Sequence, residues 1–174
     1  MSKWSRKDSR GKRAKVHSLP RREDFITLGE NWSGHPEQVE AWENFGGKTV
    51  EEAYEKFCEN PLWYQESFTR MGAVAFSFYL PVLDRCIRSL PAEELDRSDS
   101  SLESLASAID SRLKESEKLR PQQDLLLQLC DYVCRETAPL GEISKAREKV
   151  RVCWEQLRQK IVECFPKARI RRPS

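Results

Sequence analysis

The six cysteines of this 174-residue chain allow a wider range of chemistry than its other residues. They are Cys58, Cys86, Cys130, Cys134, Cys153 and Cys164. Cys130 and Cys134 are four positions apart, so they share one face of a helix. Cys153 and Cys164 follow the apolar stripe of the next predicted helix. If these two helices pair antiparallel, three or four thiols approach one another, and four thiolates about 2.3 Å from the metal form a structural zinc site.

Two features favour reduced core thiols over a zinc or redox role. Zinc ligands usually come as two short cysteine pairs, and Cys130 with Cys134 is the one such pair in the chain. Its spacing also differs from the redox motif Cys-x-x-Cys. Because free cysteine is among the most buried residue types, we predict reduced thiols in the core and no metal or cofactor. Zinc binding and disulfide chemistry remain the alternatives.

Other residues that could carry catalysis are few. His17 and His35 are the two histidines, and no nucleophile motif accompanies either. Glu51, Glu55 and Glu59 have the spacing of one helix face, which is more often solvated than cation-binding. Phosphate-loop, dinucleotide, zincin and hydrolase motifs are missing from the sequence. The sequence therefore favours a non-enzymatic protein and assigns no catalytic residue.

The formal net charge of +2 conceals three blocks of opposite sign. Residues 1–22 carry a charge of +8, residues 23–164 carry −10 and residues 165–174 carry +4. The first block has few large apolar residues, and their burial does not offset the entropy of ordering the chain. We therefore expect disordered basic tails at 1–22 and 166–174.

Basic tails of this kind are able to bind nucleic acid or another polyanion, because neutralised phosphates release their counterions. A solubilising tail, or one that folds back onto the acidic body, is the alternative. The candidate polyanion-binding residues are Lys3, Arg6, Lys7, Arg10, Lys12, Arg13, Lys15, Arg21, Arg22, Lys167, Arg169, Arg171 and Arg172.

Aromatic residues are concentrated in the first half of the chain, and we predict that most of them form the core rather than a ligand pocket. Trp63 and Tyr64 are the exception. Adjacent helical residues point about 100° apart, so one of the two is expected to reach the surface. We predict these two residues as a partner surface.

Apolar residues at spacings of three and four predict an all-α fold, a helical bundle of six or seven helices in one domain at 23–165. Its parts are an aromatic-rich half at 23–91, an acidic, serine-rich linker at 92–101 and a three-helix half at 102–165. Pro81 is expected to kink a helix or to begin a new one, because proline has no backbone N–H to donate.

Two segments of the aromatic-rich half resemble a known group of proteins. Residues 45–53 read Phe-Gly-Gly-Lys-Thr-Val-Glu-Glu-Ala, and residues 75–81 read Ala-Phe-Ser-Phe-Tyr-Leu-Pro. The pair resembles small uncharacterised bacterial helical proteins that share an Ala-Phe-x-aromatic-Tyr-Leu-Pro segment. The resemblance implies a helical, bacterial, cytosolic protein. It supplies no reaction and no functional residue.

No run of about 18 apolar residues and no apolar core of a signal peptide occurs in the sequence. We therefore expect a cytoplasmic protein with no membrane partner. The first hypothesis for function is a non-enzymatic protein–protein interaction or adaptor module with an unknown protein partner. The alternative is an accessory binder of nucleic acid through the basic tails. A third is an enzyme or metal protein built around Cys130 and Cys134 or around His35.

Overall fold

The computed structural model describes residues 18–27, 36–90, 99–138 and 144–165, and within these ranges the chain forms helices and no strand. The helices are α1 (Pro36–Phe45), α2 (Val50–Glu59), α3 (Pro61–Arg70), α4 (Ala73–Ser89), α5 (Asp99–Arg112), the single turn α6 (Ser116–Leu119), α7 (Gln123–Glu136) and α8 (Lys145–Cys164). Seven of these helices have ten residues or more, so the predicted all-α bundle of six or seven helices is confirmed. No helix in this part of the chain is long and apolar enough to cross a membrane.

Local sequence signals set the helix boundaries in the first half. At α2, the Thr49 hydroxyl accepts from the Glu52 amide at 3.3 Å and the Glu52 carboxylate accepts from the Thr49 amide at 2.8 Å, which is a capping box. At α3, the Asn60 side chain accepts from the Trp63 amide at 3.3 Å. Gly47 follows α1 with a φ of 72°, where glycine has no steric penalty.

The boundaries of α4 and α5 differ from the sequence prediction. Helix α4 begins at Ala73 and passes through Pro81 to Ser89, so Pro81 does not begin a new helix. Nearly every side of α4 is buried, and this packing outweighs the cost of the missing backbone hydrogen bond. Helix α5 begins at Asp99, three residues before the predicted start of the three-helix half at 102.

One continuous core joins the early helices to the late ones. Tyr79 of α4 is fully buried, and its hydroxyl donates to the Phe45 carbonyl at 2.5 Å. Trp154 of α8 is also fully buried, and its indole N–H donates to the Leu102 carbonyl of α5 at 3.1 Å. Both rings use their polar atoms to tie two helices together, as buried tyrosine and tryptophan usually do.

Candidate functional site

Trp63 is the exposed member of the predicted aromatic pair. It lies in the first turn of α3 with 61% of its surface exposed, and it is the one aromatic residue among the exposed large apolar side chains that the structure describes. Tyr64 is half-buried. Its hydroxyl accepts from the Lys56 ammonium at 2.8 Å, and its ring packs edge-on against Phe45. The role of these residues in partner binding stays a prediction.

Two carboxylates lie within four positions of Trp63 in the sequence. Glu66 is exposed and follows Trp63 by three positions, so the two are neighbours on α3. Glu59 ends α2 just before the Asn60 cap, and its carboxylate accepts from the Lys56 ammonium at 3.3 Å. We call Glu59, Trp63 and Glu66 the Trp63 surface. Residues 36–90 carry nine acidic and five basic side chains, so this half of the bundle has a formal charge of −4.

The basic candidates are mostly outside the described residues. Arg21 and Arg22 are described, and both are exposed. The Arg21 guanidinium lies 3.8 Å from the Glu23 carboxylate. The remaining candidates lie outside the described residues, and they are Lys3, Arg6, Lys7, Arg10, Lys12, Arg13, Lys15, Lys167, Arg169, Arg171 and Arg172. The same holds for His17 and His35.

The cysteines of the last two helices do not all belong to the core. Cys130 is buried and Cys134 and Cys153 are half-buried, but Cys164 is exposed, so its predicted place in the core is wrong. At the end of α8 the buried stripe passes from Ile161 to Phe165, which leaves Cys164 on the outer side. Among the described residues there is no group of three or more side chains able to hold a metal ion.

Burial also makes the inner thiols poor ligands and nucleophiles. It raises the pKa of Cys130 to about 12, and the neighbouring thiol of Cys134 adds to the rise. It raises the pKa of Cys134 to about 11. The thiolate is the form that attacks electrophiles and binds metals, so the raised pKa values lower the reactive fraction of these two thiols near neutral pH.

Arg112 is a buried cation that the sequence analysis did not single out. It ends α5, and its guanidinium donates to the carbonyls of Met71 at 2.9 Å, Thr69 at 2.8 Å and Ala108 at 2.6 Å. Burial lowers the pKa of Arg112 to about 10. The side chain borders a cavity of about 380 Å³, but its donors are taken up by backbone carbonyls. Arg112 therefore supplies hydrogen bonds to the carbonyls at the end of α3 and joins that end to α5.

A second cavity, of about 330 Å³, lies between α2, α3, α4 and α5. Most of its lining is apolar, and two thiols, those of Cys58 and Cys86, also line it. We call it the Cys58–Cys86 cavity. Sequence spacing did not reveal this pair because the two cysteines belong to different helices and meet only through the packing of α2 against α4.

The chain was compared with protein-family models, with curated proteins and with solved structures, and none of them matches it. The resemblance of residues 45–53 and 75–81 to small bacterial helical proteins stays a prediction. Any function must therefore be argued from the residues described above.

Proposed function

We propose that this protein is a non-enzymatic interaction module that binds a basic segment of a partner protein at the Trp63 surface. The observation that carries the proposal is the exposure of Trp63, at 61%, beside residues that turn inward. Tyr64 and Phe68 of the same helix belong to or pack on the core, whereas Trp63 leaves a large apolar ring in water. Tryptophan is among the residues that contribute most binding energy in protein interfaces.

The charges around the indole favour a cationic partner. An arginine or lysine placed over a tryptophan face is attracted by about 0.5–1 kcal/mol at an exposed site. The Glu59 carboxylate already pairs with Lys56, whereas Glu66 places a negative charge on the same helix, three positions from Trp63, for a further cation of the segment. Such complementary charges raise the rate and specificity of association. The −4 charge of residues 36–90 acts in the same direction. A basic, arginine-containing segment fits this surface best.

Fluorescence anisotropy of a labelled peptide of alternating arginine and alanine, titrated with the full chain, tests the proposal. We expect binding by the wild-type protein, roughly two- to fivefold weaker binding by Trp63→Ala, and near-normal binding by Trp63→Phe, which keeps a ring. Val162→Ala removes an exposed apolar side chain from α8 and serves as the matched control. Equal affinity of the wild type and Trp63→Ala contradicts the proposal.

The charge of the terminal blocks favours a second candidate, the polyanion binder. Residues 1–22 carry +8 and residues 165–174 carry +4. The test is the same titration with labelled single-stranded DNA at two salt concentrations, since binding through phosphates weakens steeply with salt. A full-length variant with Arg21→Glu and Arg22→Glu should bind DNA more weakly if these residues contribute. Salt-dependent DNA binding without any peptide binding would replace the first proposal by the second.

A further inference from the structure

Two cysteines from different helices face one cavity at the edge of the bundle. Cys58 is exposed near the end of α2, and Cys86 is half-buried on α4. Both line the Cys58–Cys86 cavity, whose volume of about 330 Å³ leaves the side chains room to turn towards each other. Cys58 is open to solvent and Cys86 is partly shielded from it, and an accessible redox-active cysteine often has a resolving cysteine beside it.

The surroundings of the two thiols hold the helices together at this point. The side chain of Cys58 lies close enough to those of Tyr54 and Cys86 to affect the pKa of both. The Arg85 guanidinium stacks over the Tyr54 ring, 3.7 Å from its centroid, and pairs with the Glu51 carboxylate at 2.7 Å. These contacts join α2 to α4 beside the thiols.

The two thiols differ in burial and therefore in the roles that they can take. Burial raises the pKa of Cys86 to about 12, and the nearby Cys58 thiol adds to that rise, whereas the positive charge of Arg85 opposes it. Cys86 is therefore kept protonated. Cys58 is the solvent-facing member, so an oxidant in solution reaches it first. Reactive cysteines are typically accessible to solvent.

We propose that Cys58 and Cys86 form a reversible disulfide that links α2 to α4 when the protein is exposed to hydrogen peroxide. The Cys58 thiolate attacks one peroxide oxygen, the O–O bond breaks, and the hydroxide that leaves takes a proton to become water. Cys58 is then a sulfenic acid. The Cys86 sulfur attacks the Cys58 sulfur, the S–O bond breaks, and the departing hydroxide takes the Cys86 proton. Two thiols have lost two electrons and two protons, and peroxide has become two waters.

This modification site is separate from the Trp63 surface. Pro61 and Gln65 of α3 line the cavity. Trp63 lies two positions from each, so at about 100° per residue it points away from the cavity. The proposal of a disulfide and the proposal of binding to a basic segment can therefore be tested independently of each other.

The test treats the full chain with hydrogen peroxide, alkylates the remaining thiols under denaturing conditions and maps the digest by mass spectrometry. We expect the loss of two of the six alkylatable thiols, a peptide pair joined between Cys58 and Cys86, and recovery of both thiols with dithiothreitol. In Cys86→Ser, the sulfenic acid of Cys58 should persist and be trapped by dimedone. Cys164→Ser removes an exposed thiol elsewhere and should leave the joined peptide unchanged.

Three results would overturn the proposal. One is oxidation of Cys58 to a sulfinic acid in the wild type while Cys86 remains alkylatable. Another is a disulfide that joins Cys58 of two chains, seen as a dimer on a non-reducing gel. The third is an equal yield of trapped sulfenic acid in the wild type and in Cys86→Ser, because Cys86 would then not resolve it.

Discussion

The Arg112 guanidinium donates to the Met71 carbonyl through both Nε, at 2.9 Å, and Nη2, at 2.5 Å. This pair joins the end of α5 to the residue that follows α3. Arg112 is 7% exposed, and no carboxylate is hydrogen-bonded to it in the described chain. The carbonyls at the end of α3 have no partner within their own helix, so the arginine takes the place of a C-cap.

Arg112→Met should lower the free energy of unfolding by about 3 kcal/mol, because it leaves several buried carbonyls without a donor. Arg112→Lys should lose less, since its ammonium keeps the charge but offers fewer donors in a different geometry. Urea denaturation measures both. Arg135→Met is the control, since Arg135 is exposed and its bond to Glu136 lies at the surface. Equal stability of Arg112→Met and Arg135→Met would show that the buried bonds contribute little.

Tyr79→Phe removes a buried hydroxyl that donates to the carbonyls of Phe45 at 2.5 Å and Lys48 at 2.8 Å. These carbonyls border the turn between α1 and α2, so the tyrosine fixes that turn from inside the core. We expect a loss of about 1–2 kcal/mol in thermal or urea unfolding. Tyr132→Phe is the matched control because its hydroxyl makes one exposed contact, to the Arg88 carbonyl at 3.5 Å. A loss at Tyr132 as large as that at Tyr79 would contradict this view.

Gly72→Ala tests the close approach of the first described segment to α4. The Gly72 amide donates to the Phe25 carbonyl at 2.9 Å, and an added Cβ would collide with the Ile26 carbonyl oxygen and lie 2.6 Å from that of Asp24. Backbone atoms on both sides cannot move aside easily, so we expect a loss of more than about 2 kcal/mol. Gly47→Ala, where the strain comes from a positive φ alone, should cost about 1 kcal/mol. The reverse order of the two losses would argue against this packing.

Stability should fall as the pH rises above 9, because the thiols ionise more readily when the chain is unfolded. Burial raises the pKa of Cys130 from 9 to about 12, so between these values the folded protein holds a proton that the unfolded chain has lost. One such thiol lowers the free energy of unfolding by up to about 1.4 kcal/mol per pH unit. Measurements between pH 9 and pH 10 avoid the range above 10, in which Arg112 has the opposite effect.

Cys130→Ala should flatten this pH dependence. Val133→Ala is the control because it truncates a buried side chain of the same helix without removing a thiol. Both variants lose stability through the cavity that each creates. Urea midpoints at pH 8, 9 and 10 separate the cavity effect, which is constant, from the thiol effect, which changes with pH. An identical slope in the two variants would exclude Cys130 as a source of the alkaline loss.

Local signals predicted the fold well because they act within one helix. The caps at Thr49 and Asn60 and the glycine that follows α1 depend on residues no more than three or four positions away, so the sequence alone contains these signals. One of the two outcomes expected at Pro81, a new helix, was wrong because the cost of proline is local, whereas the burial that outweighs it comes from the rest of the bundle. Cys164 was misjudged because the buried stripe passes to Phe165 at the end of the helix.

The sites were harder to predict because they depend on how separate helices are aligned. Arg112 meets carbonyls more than forty positions away, and nothing in its own neighbourhood distinguishes it from the other basic residues. Cys58 and Cys86 likewise come together only through the packing of two separate helices, α2 and α4. Trp63 was within reach of sequence reasoning, since adjacent residues of a helix point about 100° apart. Which of Trp63 and Tyr64 is exposed required the structure.

A double-mutant cycle between Trp63 and the arginines of the peptide probe tests the central claim most directly. The same alternating peptide is made with citrulline in place of arginine, which removes the positive charge and keeps the shape. The account predicts that this change weakens binding to the wild type by a larger factor than it weakens binding to Trp63→Ala, so that the two changes are coupled. Fully additive losses would contradict the account, because the cations of the peptide would then not act at the indole.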